Sequence, residues 1–255
     1  MGRNDLTGRV ALVTGAAQGL GAAHCRRLAA DGALVLVNGK QASEALDAVA
    51  REVGGLAVVA DISDPDAVAA MMSDINRRHG RLDIVVANHA YMSMSPLLAH
   101  APDDWWKVVD TNLSGTFYLV REAVPIMRAH GGGRIVVIAS EWGVIGWPEA
   151  TAYAASKAGL IAMVKTLGRE LAPEGIIVNG LAPGVIDTPQ LQVDAKAAGV
   201  SLAEMHEIYA EDIPMHRIGR PEEMAAAVSF LCDFRIGSMV GQILQANGGS
   251  TRSRA

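Results

Sequence analysis

Tyr153 and Lys157 stand four residues apart in a stretch of helical period, Tyr153-Ala154-Ala155-Ser156-Lys157, so a phenol and an ammonium project from one helix face. A cation beside a phenol stabilises the phenolate and lowers its pKa towards working pH, as an acid–base catalyst requires. The pair therefore predicts proton transfer, with Lys157 tuning Tyr153. Ser140 closes the apolar run Ile135-Val136-Val137-Ile138-Ala139. Its hydroxyl can polarise a carbonyl, and a serine in that place is equally a plain turn residue. Asn112 falls inside a helical pattern, where asparagine is a mediocre former. Its amide can brace backbone or a water chain leading to Lys157, or simply face solvent.

A different chemistry is written near the N-terminus, where a β-branched run ends at Thr14 and leads into Gly15-Ala16-Ala17-Gln18-Gly19-Leu20-Gly21 and then a helical segment. Glycines at such a turn let the backbone approach a pyrophosphate, and the helix start offers unpaired N–H groups with a favourable dipole. An anion is the expected guest of Gly15, Gln18, Gly19, Leu20 and Gly21, although glycine turns also serve tight packing alone. Asp61-Ile62 can hold an adenine edge with the acid and the ring with the isoleucine. Alternatively Asp61 belongs with Ser63, Asp64 and Asp66 to a helix cap.

These groups need a frame to act together. Apolar runs at 10–14, 34–38, 57–60, 84–87, 134–139, 176–181 and 242–245 alternate with segments of helical period near 19–30, 41–53, 65–79, 103–130, 151–172 and 222–233. The alternation predicts βαβ units, and strands without polar alternation predict a sheet covered on both faces. Right-handed crossovers then give one α/β domain over 1–255, a Rossmann-like doubly wound parallel sheet of about seven strands with helices on both faces. Its ligand crevice lies beyond the carboxyl ends of the strands. Residues 187–220 are the weakest for regular structure and are the expected lid over that crevice.

Half of the 255 residues are hydrophobic and 19% are charged, which supplies a large core and leaves apolar surface for subunit contacts. A net charge of −5 gives no footprint for nucleic acid or an anionic membrane surface. No apolar run nears the roughly 18 residues of a membrane span. Residues 1–8 lack the basic flank and apolar run of a secretory signal, so a cytoplasmic protein is expected. Cys25 and Cys232 read as free, buried thiols. The seven histidines show no ligand spacing such as His-Glu-x-x-His, and no metal site is expected.

With the glycine turn, Asp61-Ile62, Asn88, Asn112, Ser140, the Tyr153/Lys157 pair, 183–188 and 241–249 in this order, nearly the whole chain resembles the short-chain dehydrogenase/reductase family. The resemblance implies a catalytic tetrad of Asn112, Ser140, Tyr153 and Lys157, with Tyr153 passing a proton as hydride moves and Lys157 also holding the nicotinamide ribose. It implies further that Pro183, Gly184, Val185, Ile186 and Thr188 embrace the nicotinamide, and that Gly19, Gly21, Asn88 and Asp61 hold the rest. A homotetramer paired through the helices at 103–130 and 151–172 is also implied. Ala154, Ala155, Ala158 and Ala162 suit close packing there. One departure is Ala87-Asn88-His89-Ala90, where the family usually has Asn-Asn-Ala-Gly; His89 is read as structural or as a group titrating near pH 6.5.

Family members using NAD usually carry an acid at the end of the second strand, where it binds the ribose hydroxyls and repels a phosphate. Here that place is Gly39, followed by Lys40 with Ser43 nearby, which predicts NADP(H) over NAD(H) unless Lys40 is a solvated loop charge. The substrate wall is expected from Glu141, Trp142, Val144, Trp147, Tyr91, Met92, Met94, Met205 and Tyr209, mostly large and apolar. A secondary alcohol or ketone, mainly apolar or cyclic, is the expected substrate. An alternative within the fold is a 3-oxoacyl-thioester (carrier protein) reductase docking through Arg128 and Arg169. A dinucleotide-sensing scaffold without catalysis is a more distant one, since it has no need of Ser140, Tyr153 and Lys157 together.

Overall fold

The computed structural model describes residues 4–251, so 1–3 and 252–255 of the expected domain, including part of the N-terminal segment read for a signal, lie outside the described residues. Among the described residues seven parallel strands form one sheet: β1 Val10–Val13, β2 Leu34–Gly39, β3 Leu56–Val59, β4 Ile84–Ala87, β5 Gly133–Ile138, β6 Ile176–Pro183 and β7 Ile243–Ala246. Their order is β3-β2-β1-β4-β5-β6-β7. Strands β1, β4, β5 and β6 are buried at every residue, which is why their sequences are apolar without alternation apart from Arg134 in β5 and Asn179 in β6.

One face is covered by α3 (Pro65–His79), α5 (Gly115–Ala129) and α7 (Thr151–Leu171), which contribute residues such as Met72, Leu119 and Leu160 to a core against Leu12, Val85 and Ile135. The other is covered by α1 (Gly19–Ala30), α2 (Glu44–Glu52) and α10 (Pro221–Leu231), through Leu28, Leu46 and Val228 against Val13, Val35 and Val136. Strict alternation of the hydrophobic side chains across each strand sends one set to each core. Cys25 and Cys232 are free and buried on this second face. No helix among the described residues is long and apolar enough to cross a membrane.

Three elements depart from expectation. The helix expected at 103–130 is α4 (Pro102–Val109), a π-helical turn over Asp110–Ser114, and α5. A four-residue helix, α6 (Trp142–Ile145), follows Ser140. Residues 187–220, read as weak in regular structure, hold α8 (Gln190–Ala198) and α9 (Leu202–Glu211). These helices are only about three turns long, and Leu191 of α8 and Tyr209 of α9 pack with Ile213 and Ile218 beyond them, so the long-range period that marks the other helices is missing. The start of α9 carries a capping box that the sequence reading missed: Ser201 accepts from Glu204 N while Glu204 accepts from Ser201 N.

Candidate active site

The sheet order reverses between β1 and β4, and the crevice opens where their carboxyl ends part. Asn88, just past β4, donates from Nδ2 to Thr14 O at 3.0 Å and Gly15 O at 3.1 Å. The Thr14 hydroxyl in turn accepts from Asn88 N and His89 N. The glycine turn is thereby tied to the β4 loop. Gly15 has φ +60, and a Cβ there would stand 2.8 Å from His89 Cα. His89 is buried, with Nδ1 2.7 Å from Thr14 Oγ1, and burial pushes its pKa down to about 3. The imidazole is therefore neutral across the physiological range and is a structural strut, not a group titrating near 6.5.

Gln18, which precedes α1, caps it with no side-chain bond, whereas Ser43 caps α2 and Asp64 caps α3. The first N–H groups of α1 are thus left for an anion. A trough of about 650 Å³ runs past them, lined by Gly15, Gln18, Gly19, Leu20, Gly21, Gly39, Lys40, Asp61, Ile62 and Asn88. An uncapped helix start, a turn too tight for side chains and a long trough fit a dinucleotide. Lys40 is not a solitary loop charge: its Nζ stands 2.8 Å from Asp61 Oδ2 across the trough. Asp61 also accepts from the hydroxyl and N–H of Ser63 in the turn ahead of α3, whose cap is Asp64. Sequence reading missed Asn38, which lines the trough and whose buried amide gathers Val58 O and Ala60 O at the ends of two strands. Its signal was a lone polar residue at the end of an apolar strand.

A second cavity of about 200 Å³ adjoins the trough, and both are lined by Leu20, Asn88, Ala90, Thr188 and Gln190. Ser140, Tyr153, Lys157, Pro183, Gly184, Val185, Ile186 and Thr188 meet there. Ser140 is carried by the end of β5, and Tyr153 and Lys157 by the first two turns of α7. Lys157 is 1% exposed, and its Nζ donates to Ile138 O at 2.7 Å. Burial pushes its pKa down to about 8. Tyr153 keeps part of its ring open to the cavity, yet desolvation pushes its pKa up to about 12, against the opposing effect of a hydrogen bond with Ser140. The expected lowering of the phenol by Lys157 is not seen: the ammonium lies 5.5 Å from the ring centroid, and desolvation dominates the shift. Tyr153 is consequently a protonated acid at neutral pH.

Asn112 lines neither cavity. It sits fully buried in the π-helical turn. Its Oδ1 accepts from Tyr91 N at 2.8 Å, and Nδ2 donates to Tyr91 O and Ser156 Oγ, both at 3.0 Å. It braces the β4 loop against α7, beside Tyr153 and Lys157.

Of the residues expected in the substrate wall, Glu141, Trp142, Met92 and Tyr209 line the second cavity and Tyr91 lines the trough. Trp147 does not line it: its ring stacks on the far side of Trp142, 5.0 Å between centroids, while Trp142 meets Tyr153 edge-on at 5.9 Å. Val144 and Met94 are exposed, and Met205 is buried on α9. Arg128 is ion-paired with Glu174. Arg169 lies twelve residues beyond Lys157 on α7, roughly 18 Å along the helix from the reacting end.

Residues 15–251 match the sequence model of a family described as enoyl-(acyl carrier protein) reductase. The 3-oxoacyl-[acyl-carrier-protein] reductase FabG of Thermotoga maritima is 36% identical over 250 residues, covering 96% of this chain and 98% of the relative. The 2-dehydro-3-deoxy-L-rhamnonate dehydrogenase (NAD(+)) of a Sphingomonas species is 38% identical, covering 96% of both. The structure of L-sorbose reductase from Gluconobacter frateurii, complexed with NADPH and L-sorbose, superposes with a TM-score of 0.92 at 29% identity, over 99% of this chain and 100% of that one.

Proposed function

The chain belongs to the short-chain dehydrogenase/reductase family of oxidoreductases, and on that premise we propose that it reduces a small, mainly apolar or cyclic ketone to a secondary alcohol, with Tyr153 as general acid. The observation that carries this reading is the convergence of Ser140, Tyr153 and Lys157 on a small cavity at the end of the dinucleotide trough. A bound nicotinamide dinucleotide supplies the hydride. The Tyr153 hydroxyl, protonated at neutral pH, donates its proton to the carbonyl oxygen as the carbonyl carbon gains the hydride. Ser140 hydrogen-bonds the same oxygen and holds the phenol in line. Lys157 spends one proton on Ile138 O and keeps two for the phenol side and a ribose hydroxyl. Asn112 fixes the helix start from which both project. Reduction of cyclic ketones, followed as loss of nicotinamide absorbance, tests the reading; a preference for short polar sugars over the apolar set counts against it.

The pH dependence follows from the two shifted groups. Tyr153 holds its proton up to about 12, and Lys157 is an ammonium only below about 8. Since His89 is pushed down to about 3, it does not titrate between pH 5 and 7. Reduction measured as kcat/KM is expected to be level from pH 5 to 7 and to fall as pH rises through about 8. A plateau reaching pH 10 would mean that the Lys157 charge is not used.

The cofactor reading favours NADP(H). Gly39 leaves no carboxylate to repel a 2′-phosphate, and Lys40 lies on the trough within reach of Asp61, a contact that a phosphate replaces. Wild type is expected to show a higher kcat/KM with NADPH than with NADH, and Lys40→Ala to narrow the gap by about tenfold, the worth of one exposed charge-assisted bond. A wild-type preference for NADH sinks the assignment.

A thioester on a carrier protein is the second reading, supported by the Thermotoga relative. The roughly 200 Å³ cavity and the pairing of Arg128 with Glu174 speak for the small ketone. Residues 187–220 act as the lid: the Ile186–Gly219 bridge brings the two ends of this excursion together, with Asp187 N bonded to Gly219 O at 2.9 Å. A homotetramer is supported by exposed Trp106 and Phe117 on α4 and α5 and by the exposed small face of Ala155, Ala158 and Ala162 on α7.

A further inference from the structure

The small cavity over Tyr153 has a charge pattern that the reduction chemistry does not need. Its walls are apolar at Met92, Trp142, Val185 and Leu191, yet two carboxylates, Glu141 and Asp194, also line it. The one cation among its lining residues is Lys157, which lies beneath Tyr153 with its Nζ bonded to Ile138 O. Glu141 is already committed. It is buried, it accepts a hydrogen bond from Ser250, and burial raises its pKa. Asp194 differs. It stands half-buried on α8, in the lid, and no ion pair engages it among the described residues. Its Oδ1 accepts from Gln190 Nε2 at 3.0 Å, and its Oδ2 receives only the long contact of 3.4 Å from the Tyr209 hydroxyl. Burial and the neighbouring Asp194 push Tyr209 up to about 12, so this phenol stays a donor and does not add a charge.

A carboxylate has about four acceptor sites, and Asp194 has used at most two of them. Lining a small cavity without an ion-pair partner, it attracts a hydrogen-bond donor and repels an anion. We propose that the substrate is an uncharged small ketone carrying a hydroxyl group that Asp194 receives, and that Asp194 is the specificity-determining residue that excludes keto acids. The proposal rests on the reading of the chain as a ketone reductase, and it adds the charge and the second functional group of the substrate. Recognition is then split between two elements. Tyr153 on α7 takes the reacting oxygen, and α8 takes the remote hydroxyl as the lid settles.

Three ketones of similar size separate the possibilities: 4-hydroxycyclohexanone, 4-methylcyclohexanone and 4-oxocyclohexanecarboxylate, each measured as kcat/KM with saturating NADPH or NADH. Wild type is expected to prefer the hydroxyketone over the keto acid by roughly 10- to 100-fold, the range of a hydrogen bond to a charged group. In Asp194→Asn the ratio of hydroxyketone to methyl ketone should fall and that of keto acid to methyl ketone should rise. If wild type reduces the keto acid as well as the hydroxyketone, or if Asp194→Asn leaves both ratios unmoved, the charge inference is overturned while ketone reduction stands. Reduction of none of the three overturns the reductase reading and this inference with it. The wild-type ratios decide the question even if the variant does not fold.

Discussion

Tyr153→Phe is expected to bind dinucleotide as wild type does and to reduce ketones about 10²- to 10⁴-fold more slowly, the range of a lost general acid. The substitution removes one oxygen and its proton from a ring that packs edge-on against Trp142, so the fold and the trough are untouched. Ser140 still hydrogen-bonds a carbonyl oxygen, and Lys157 remains buried on Ile138 O. Neither replaces the proton that the phenol donates. Fluorescence titration with NADPH beside steady-state turnover separates binding from chemistry. Full activity in the variant would refute the mechanism, whereas lost binding would show that the ring positions the nicotinamide as well.

The second large effect is expected at Gly21. A Cβ there would lie 2.4 Å from Gly15 O and 2.7 Å from both Ala16 Cα and Asn88 Nδ2. Two of these three atoms are backbone, and the third belongs to a side chain locked by bonds to Thr14 O and Gly15 O, so no rotamer change relieves the clash. Gly21→Ala must push α1 away from the turn, at an overpacking cost of about 1–3 kcal/mol. A melting temperature several degrees below wild type is expected, at roughly 2–4 °C per kcal/mol for a chain of this size. Dinucleotide affinity should fall by more than about tenfold, because the uncapped N–H groups of α1 move off the phosphates. Gly237→Ala is the control: nothing lies within 4 Å of its Cβ, and both readouts should stay at wild type. Equal affinities for the two variants would show that the turn is not the phosphate cradle.

The fold was legible because its signals are local. Each buried strand is a short apolar run ended by a turn residue, and the observed bounds fall within one or two residues of those expected from the sequence. The glycine turn, Ser140 and the Tyr153/Lys157 pair were legible for the same reason, since residue type and spacing alone put them at strand ends and on one helix face. Helices α8 and α9 were less so. Leu191 of α8 and Tyr209 of α9 pack with Ile213 and Ile218 in a small core away from the sheet, while Val193, Leu202 and Ile208 are exposed, so neither short helix shows an apolar face that declares a period.

The amino-acid order by itself thus determined the doubly wound sheet, the uncapped glycine turn and the presence of a phenol, a hydroxyl and an ammonium fit for proton transfer. Tertiary structure decided what those groups are worth. The π-helical turn makes Asn112 a brace between the β4 loop and α7, not a lining residue. Lys40 meets Asp61, twenty-one residues away, only because β2 and β3 are neighbours in the sheet. Tyr153 is raised and Lys157 lowered by desolvation, which depends on everything packed around them and on no property of their spacing. Asp194 reaches the cavity only because the chain from Asp187 onward turns back over the carboxyl edge of the sheet. Spacing can name the reacting groups, but burial and long-range contact set their charge and their company.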